Sequence, residues 1–182
     1  MTESPINIGM IGAGSISAYH IAGLQQAGAR FGAIAARTLE SAQRRAHEFG
    51  ISRFTADYHD ILADPSIDAV VIATPDYLHK PHAIDSLRAG KPTLLQKPMA
   101  RSTGECEQII RAADSNGVPL YVSFMHRYFE EVELLHSLLN DGALGRVLSV
   151  RQRNATPGAD WAGWFYSKES VGGKSSPRFE SM

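Results

Sequence analysis

Two glycines near the N-terminus stand at alternate positions, in the run Gly12-Ala13-Gly14-Ser15-Ile16-Ser17. Gly12 would permit a tight turn, Gly14 would let a phosphate approach the backbone, and the small Ser17 would allow a helix to pack closely on a strand. An apolar run precedes this segment and a helical pattern follows it, as a dinucleotide-binding loop requires. Ser15 and Ile16 would then begin a helix whose free N–H groups face the phosphates. A simple glycine turn is the alternative interpretation.

Arg37 stands twenty residues after Ser17, where an acidic residue would bind the ribose 2′-OH of NAD. An arginine can instead pair with a 2′-phosphate through a charge-assisted fork. Thr38 follows directly and has the residue type of a helix N-cap. We therefore predict NADP as the preferred cofactor, with NAD possible. A solvated arginine at the end of a strand is the alternative for Arg37.

The elements that would position these residues alternate along the first 124 residues. Short apolar runs predict buried strands, and helical spacing predicts helices between them. Asp76 is the predicted N-cap of one helix, and Ser102 with Glu105 has the spacing of a capping box. The predicted strands lie at 6–11, 31–35, 69–73, 93–95 and 120–124. This alternation predicts an α/β fold, a Rossmann-type doubly wound parallel sheet with right-handed crossovers.

After residue 124 the pattern changes. We expect an amphipathic helix over Tyr128–Leu139 and a half-exposed strand over Gly145–Arg153. Three aromatic residues would either line a substrate site or belong to the core of a second domain: Trp161, Trp164 and Phe165. We therefore expect a dinucleotide-binding domain over 1–124 and, over 125–182, the truncated start of an α+β substrate and oligomerisation domain.

Charge, apolar runs and cysteine content restrict the partners. Eighteen basic residues oppose nineteen acidic ones, so nothing indicates nucleic acid or an anionic membrane as a partner. No apolar run approaches the roughly 20 residues of a membrane helix. A single cysteine, Cys106, fits a reducing compartment, and we expect a cytoplasmic protein. His79 and His82 lie three residues apart, but no further ligand is clustered with them, so no metal site is predicted.

Three stretches together resemble the Gfo/Idh/MocA oxidoreductase family. They are 62–79, with Thr74-Pro75-Asp76-Tyr77-Leu78-His79 at its end; 89–98, which ends in Gln96-Lys97-Pro98; and Phe124-Met125-His126-Arg127-Tyr128, followed later by Gly145-Arg146-Val147. The resemblance extends from about residue 5 to about residue 173, with the motifs in the order and spacing of the family.

The resemblance implies roles for the matched residues. Thr74 and Pro75 would line the nicotinamide side of the cleft, and His79 would lie near the dinucleotide. Lys97 would contact the nicotinamide ribose and the reacting hydroxyl group, as the catalytic residue. Gln96 would be close to the cofactor too, although the family usually has Glu there. Arg127, beside His126, would be either a cleft residue or an interdomain contact.

Two functions follow from this resemblance. The first is an NAD(P)-dependent oxidoreductase that transfers a hydride between the cofactor and a sugar, polyol or related small molecule. The second is a non-catalytic nucleotide-binding or regulatory protein, or an inactive fragment, of the same fold. Gln96 favours the second, as does the absence of any histidine after His136, because the family's second domain supplies a catalytic histidine. Full-length members are expected to form homo-oligomers through that domain.

Overall fold

The computed structural model describes residues 4–151, 153 and 170 of the chain. Its described part contains six strands and six α-helices. The strands are β1 Asn7–Ile11, β2 Arg30–Ala35, β3 Phe54–Thr55, β4 Ala69–Ile72, β5 Thr93–Gln96 and β6 Leu120–Ser123. The helices are α1 Ser15–Gln26, α2 Leu39–Phe49, α3 His59–Leu62, α4 His79–Arg88, α5 Thr103–Asn116 and α6 Glu130–Asn140. Two 3-10 turns lie at Asp76–Leu78 and Met125–Tyr128.

All six strands pair in parallel, in the order β3-β2-β1-β4-β5-β6. From β1, the chain therefore adds β2 and β3 on one side. It then crosses to the other side of β1 and adds β4, β5 and β6 there. This reversal places a topological switch point between β1 and β4, where folds of this kind bind their ligands. The predicted doubly wound parallel sheet is confirmed.

The helices cover both faces of the sheet, because alternate side chains of a strand point to opposite faces. Val70 and Ile72 of β4 pack in one apolar cluster with residues of α3, α4 and α5. Val71, from the same strand, packs in a second cluster with Ile21 of α1 and Ala46 of α2. Burial on both faces explains why β4 consists entirely of apolar residues.

Helix caps set the ends of α2 and α5. The Thr38 hydroxyl accepts the backbone N–H of Ser41 at 3.3 Å, and the Ser102 hydroxyl accepts that of Glu105 at 3.3 Å. The Glu105 carboxylate, however, accepts the N–H of Arg101 at 3.1 Å, one residue before the cap. The predicted N-caps Thr38 and Ser102 are therefore confirmed, whereas the second half of the capping box is shifted by one residue.

Three sequence expectations were wrong. Asp76 is not an N-cap: Pro75 has the extended backbone of the cap position, and Asp76 lies inside the 3-10 turn with its side chain buried. The helix expected from Tyr128 begins at Glu130, after a separate 3-10 turn. Residues 145–151 form no strand, because a strand needs a hydrogen-bonding neighbour and the described sheet ends at β6. Trp161, Trp164 and Phe165 lie outside the described residues.

Candidate functional site

The glycine loop follows β1 and is held between the ends of β2 and β4. The N–H of Gly12 donates to the carbonyl oxygen of Ala35 at 2.8 Å, which fixes the loop to β2. The N–H of Ala73 donates to the carbonyl oxygen of Ile11 at 2.8 Å, which fixes the same region to β4. Since the strands are parallel, the residues that follow β1, β2, β4 and β5 all lie at one edge of the sheet.

The two glycines of the loop differ in their surroundings. Gly12 is buried and has a φ of 112°, a conformation that strongly favours glycine. Gly14 is exposed, and a Cβ placed there would meet no described atom within 4 Å. Open space over Gly14 would admit a phosphate, as the dinucleotide fingerprint requires.

The start of α1 also fits an anionic group. Ser15 is exposed and Ile16 is half-buried in its first turn, which contains no acidic residue. Within the described residues no side chain caps this helix. The N–H of Ser17 already donates to the carbonyl oxygen of Gly14 at 3.2 Å. The N–H groups of Ser15 and Ile16 have no such partner among the described residues, so a phosphate could accept them.

Arg45 is a residue of this region that the sequence analysis missed. Its Nη2 donates from α2 to the carbonyl oxygen of Gly14 at 3.1 Å, and the Ser17 hydroxyl donates to the same oxygen at 2.6 Å. Nη1 of Arg45 pairs with Glu48 at 2.8 Å. A guanidinium group, paired with Glu48, thus lies against the glycine loop.

Arg37 and Thr38 lie between β2 and α2, at the same edge of the sheet as the glycine loop. Both residues are exposed. Thr38 caps α2 and so fixes the turn in which Arg37 stands. The sheet order places this turn next to the loop after β1, on the side away from β4.

Thr74 follows β4 and is bound by two histidines of α4. The Thr74 carbonyl oxygen lies 2.9 Å from Nε2 of His79, and its hydroxyl lies 3.3 Å from Nδ1 of His82. Burial lowers the pKa of His82 to about 4, so this imidazole is neutral at pH 7. Tyr58 packs on the His82 ring, with centroids 4.4 Å apart. Pro75 comes next and begins the 3-10 turn.

Gln96 ends β5 and is buried, with its side-chain oxygen 3.3 Å from Nε2 of His20 on α1. Burial lowers the pKa of His20, and the hydrogen bond to Gln96 opposes this effect only in part. The amide thus connects β5 to the helix that begins at the glycine loop. It places no negative charge at the end of β5.

Lys97 is exposed at the end of β5 and precedes a cis peptide bond to Pro98. Asp76 provides a carboxyl group near it. Burial raises the pKa of Asp76, and electrostatic interactions with His79 and Lys97 oppose that rise. Lys97 therefore has a carboxyl group on the β4 side and a neutral amide, Gln96, directly before it in the chain.

Arg127 is the predicted site residue farthest from the switch point. It is exposed on the 3-10 turn after β6, and its guanidinium carbon lies 5.6 Å from the centre of the Phe124 ring. In the sheet order, β4 and β5 lie between β6 and β1. The structure therefore groups the other predicted residues at the ends of β1, β2, β4 and β5, with Arg127 at the margin.

Among residues 4–151, 153 and 170, no three His, Cys, Asp or Glu side chains are grouped as metal ligands would be. Across those residues no helix has the length and apolar character needed to cross a bilayer.

Residues 6–124 match the model of the Gfo/Idh/MocA group, described as an oxidoreductase family with an NAD-binding Rossmann fold. The chain is 36% identical over 155 residues to inositol 2-dehydrogenase 2 of Saccharopolyspora erythraea, which covers 82% of this chain and 46% of that protein. The chain spans less than half of the length of curated relatives that it matches.

Solved structures agree with this match. A levoglucosan dehydrogenase in complex with NADH and levoglucosan has a TM-score of 0.80 and 30% identity, over 92% of this chain and 49% of that one. A 3-ketoreductase from Actinomadura kijaniata, in complex with TDP-benzene and NADP, has a TM-score of 0.71 and 28% identity, over 79% of this chain and 44% of that one. With its sheet order, glycine loop and matched residues, the chain belongs to the Gfo/Idh/MocA oxidoreductase family.

Proposed function

We propose that this chain forms the dinucleotide-binding part of an NADP-preferring oxidoreductase. Its substrate would be a sugar, polyol or related compound that exchanges a hydroxyl and a carbonyl group. One observation carries the proposal: the loop at Gly14 and the loop at Lys97 lie at the same edge of the sheet, on either side of the end of β4. A dinucleotide placed across the switch point would have its pyrophosphate at Gly14 and its nicotinamide toward Thr74 and Lys97.

Each group at this edge would have a separate task. The free N–H groups of α1 would bind the pyrophosphate, with Arg45 adding positive charge. Thr74 and Pro75 would face the nicotinamide side. Lys97 would hydrogen-bond the reacting oxygen, donate or accept its proton, and stabilise negative charge that develops there. The nicotinamide cofactor, when bound, would supply or accept the hydride.

Arg37 supports NADP as the preferred form. It is exposed at the end of β2, beside the glycine loop, and can form two parallel hydrogen bonds with a 2′-phosphate. Glu40, in the first turn of α2, is the nearest acidic residue along the chain. Among the relatives, the levoglucosan dehydrogenase was solved with NADH and the 3-ketoreductase with NADP, so both cofactors occur within this fold.

We further propose that residues 125–182 begin a substrate domain and that the reaction takes place in the cytoplasm. The family match ends at residue 124, directly after β6, the last strand of the described sheet. The substrate class comes from the relatives, which include inositol and levoglucosan dehydrogenases.

Calorimetric titration of the chain with NADP, NADPH, NAD and NADH tests the cofactor proposal, with Arg37→Glu as the matched variant. We expect wild type to bind NADP more tightly, and Arg37→Glu to lose that preference while still binding NAD. A hydride-transfer assay with myo-inositol, levoglucosan and other polyols comes next. Turnover is measured by nicotinamide absorbance, and Lys97→Met is the inactive control. Tighter binding of NAD by wild type would refute the role given to Arg37.

A second candidate function is nucleotide binding without turnover. The observation that favours it is Gln96, whose neutral amide is bound to His20 and leaves no carboxylate at the position directly before Lys97. Tight cofactor binding with no turnover on any polyol would support this second function for the chain.

A further inference from the structure

His79 is fully buried, and each of its two ring nitrogens lies against a backbone carbonyl oxygen. Nδ1 is 2.7 Å from the oxygen of Pro98, and Nε2 is 2.9 Å from the oxygen of Thr74. A carbonyl oxygen only accepts hydrogen bonds, so each contact is a hydrogen bond when the facing ring nitrogen carries a proton; a neutral ring donates to one of the two oxygens, and an imidazolium to both. Both contacts have the length of a good hydrogen bond.

The two carbonyl groups belong to different loops of the site. Thr74 follows β4, at the place proposed for the nicotinamide, and Pro98 follows Lys97 directly after β5. One side chain from the first position of α4 therefore joins the two loops. His82, one turn later, holds the Thr74 hydroxyl and fixes the β4 side of this connection from the same helix.

The same geometry excludes direct contact between His79 and a bound ligand. The residue has an exposed fraction of 0%, and both of its polar ring atoms are already engaged. Any effect of His79 on the cofactor must act through the backbone that it holds.

We propose that His79 is a positioning residue, which sets the location of Lys97 relative to the nicotinamide half of the dinucleotide by joining the Thr74 and Pro98 carbonyl groups. This inference rests on the proposed function, since it assumes that a dinucleotide binds across the switch point. It predicts that His79 affects the nicotinamide half of the ligand and leaves the adenosine half unchanged.

The test compares ADP with NADP in calorimetric titrations of wild type, His79→Phe and His79→Gln. ADP carries the adenosine and pyrophosphate that would lie at the glycine loop, but it has no nicotinamide ribose. Phe keeps the volume of the ring and removes both nitrogens, whereas Gln keeps an amide donor. We expect ADP affinity to be unchanged in both variants, and NADP affinity to fall about tenfold in His79→Phe, as for one lost contact, and less in His79→Gln.

Ser86→Ala is the matched control, because Ser86 is also buried on α4 and its hydroxyl has no hydrogen-bond partner among the described residues. We expect this variant to bind both ligands as wild type does. Equal weakening of ADP and NADP in His79→Phe would indicate a merely structural role and overturn the proposal. Unchanged NADP affinity would overturn it too.

A measurement on the free chain separates this inference from the proposed function. Backbone amide exchange across residues 97–101 should accelerate in His79→Phe, while exchange across the glycine loop, residues 12–17, should not. If wild type binds neither ligand, the proposed function fails, and amide exchange still decides whether His79 holds the loop.

In wild type, ¹⁵N spectra of labelled histidine should show a slowly exchanging ring N–H for His79, and this readout does not require a variant that folds. Rapid exchange of every ring N–H proton of His79 would contradict the inference.

Discussion

A Cβ atom on Gly12 would lie 2.4 Å from the carbonyl oxygen of Ala73, a separation that no side chain can adopt. The carbonyl belongs to the residue that follows β4, so Gly12 is required where the two central strands end side by side. Gly14, two residues later, has open space around its α-carbon. The two glycines of one motif therefore differ: packing requires the first, and the second leaves the space in which the proposed phosphate would lie.

Two alanine substitutions should show this difference. Gly12→Ala should lower the free energy of unfolding by about 2 kcal/mol or more, because it combines a positive φ with a backbone clash. Gly14→Ala should stay within about 1 kcal/mol of wild type, because its backbone is extended and unobstructed. It should nevertheless weaken NADP binding at least tenfold, because the added methyl group occupies the phosphate position. Urea unfolding and calorimetry measure the two effects, and a stable Gly12→Ala protein would contradict the first.

Arg45 should support the glycine loop through its bond to the Gly14 carbonyl oxygen. Arg45→Met keeps much of the aliphatic side chain but removes both the hydrogen bond and the positive charge. We expect NADP to bind several-fold more weakly, with a smaller dependence of affinity on salt concentration, because one charge near the phosphates is lost. Arg44→Met on the exposed side of the same helix is the control and should match wild type. Equal affinities of the two variants would exclude a role for Arg45.

His82 should make folding stability depend on pH. Its pKa is about 4 in the folded chain and near 6.5 when unfolded, so the unfolded chain binds more protons between these values. The stability contributed by the neutral ring is complete above pH 6.5 and is lost as the pH falls toward 4. Between pH 6.5 and pH 4.5, wild type should lose about 1–2 kcal/mol more unfolding free energy than His82→Gln. Parallel loss in both proteins, measured by urea unfolding, would contradict this assignment.

Gln96→Glu should change the titration of His20. In wild type, burial lowers the pKa of His20 and the partner amide carries no charge. A carboxylate at position 96 would favour the imidazolium form, so the pKa of His20 should rise in the variant. NMR titration of the ring protons measures the shift, and Gln96→Met, which cannot accept this bond strongly, should move the pKa in the opposite direction. An unchanged His20 pKa in Gln96→Glu would show that the two side chains are not in contact.

Local pattern was sufficient to predict much of the fold. The apolar run at β4, the caps Thr38 and Ser102 and the glycine loop each combine a residue type with its immediate neighbours, and such combinations are visible in a sequence. The prediction of a strand over Gly145–Arg153 was wrong because it needed more than local pattern. Apolar and polar residues alternate there as in a strand, but strand formation depends on a pairing partner that local sequence does not specify.

The contacts within the candidate site were less predictable. Arg45 reaches Gly14 from thirty-one positions away, and His79 reaches Pro98 from nineteen, so their roles depend on how helices pack beside strands. In the sequence, the positions of Arg45 and His79 showed no pattern beyond that of an ordinary amphipathic helix. Asp76 looked like a cap because of its residue type, yet Pro75 before it already had the extended backbone that a cap requires.

The position of β1 at the centre of the sheet also affects the order in which the molecule can form during synthesis. Its neighbours are β2 and β4, and the pairing with β4 extends to Ile72. Since chains emerge from the N-terminus, the glycine loop leaves the ribosome before β4 does. One of its two supporting strands is translated only some sixty residues later. A nascent chain that ends between the glycine loop and β4 contains the whole nucleotide fingerprint but lacks the strand against which Gly12 must pack.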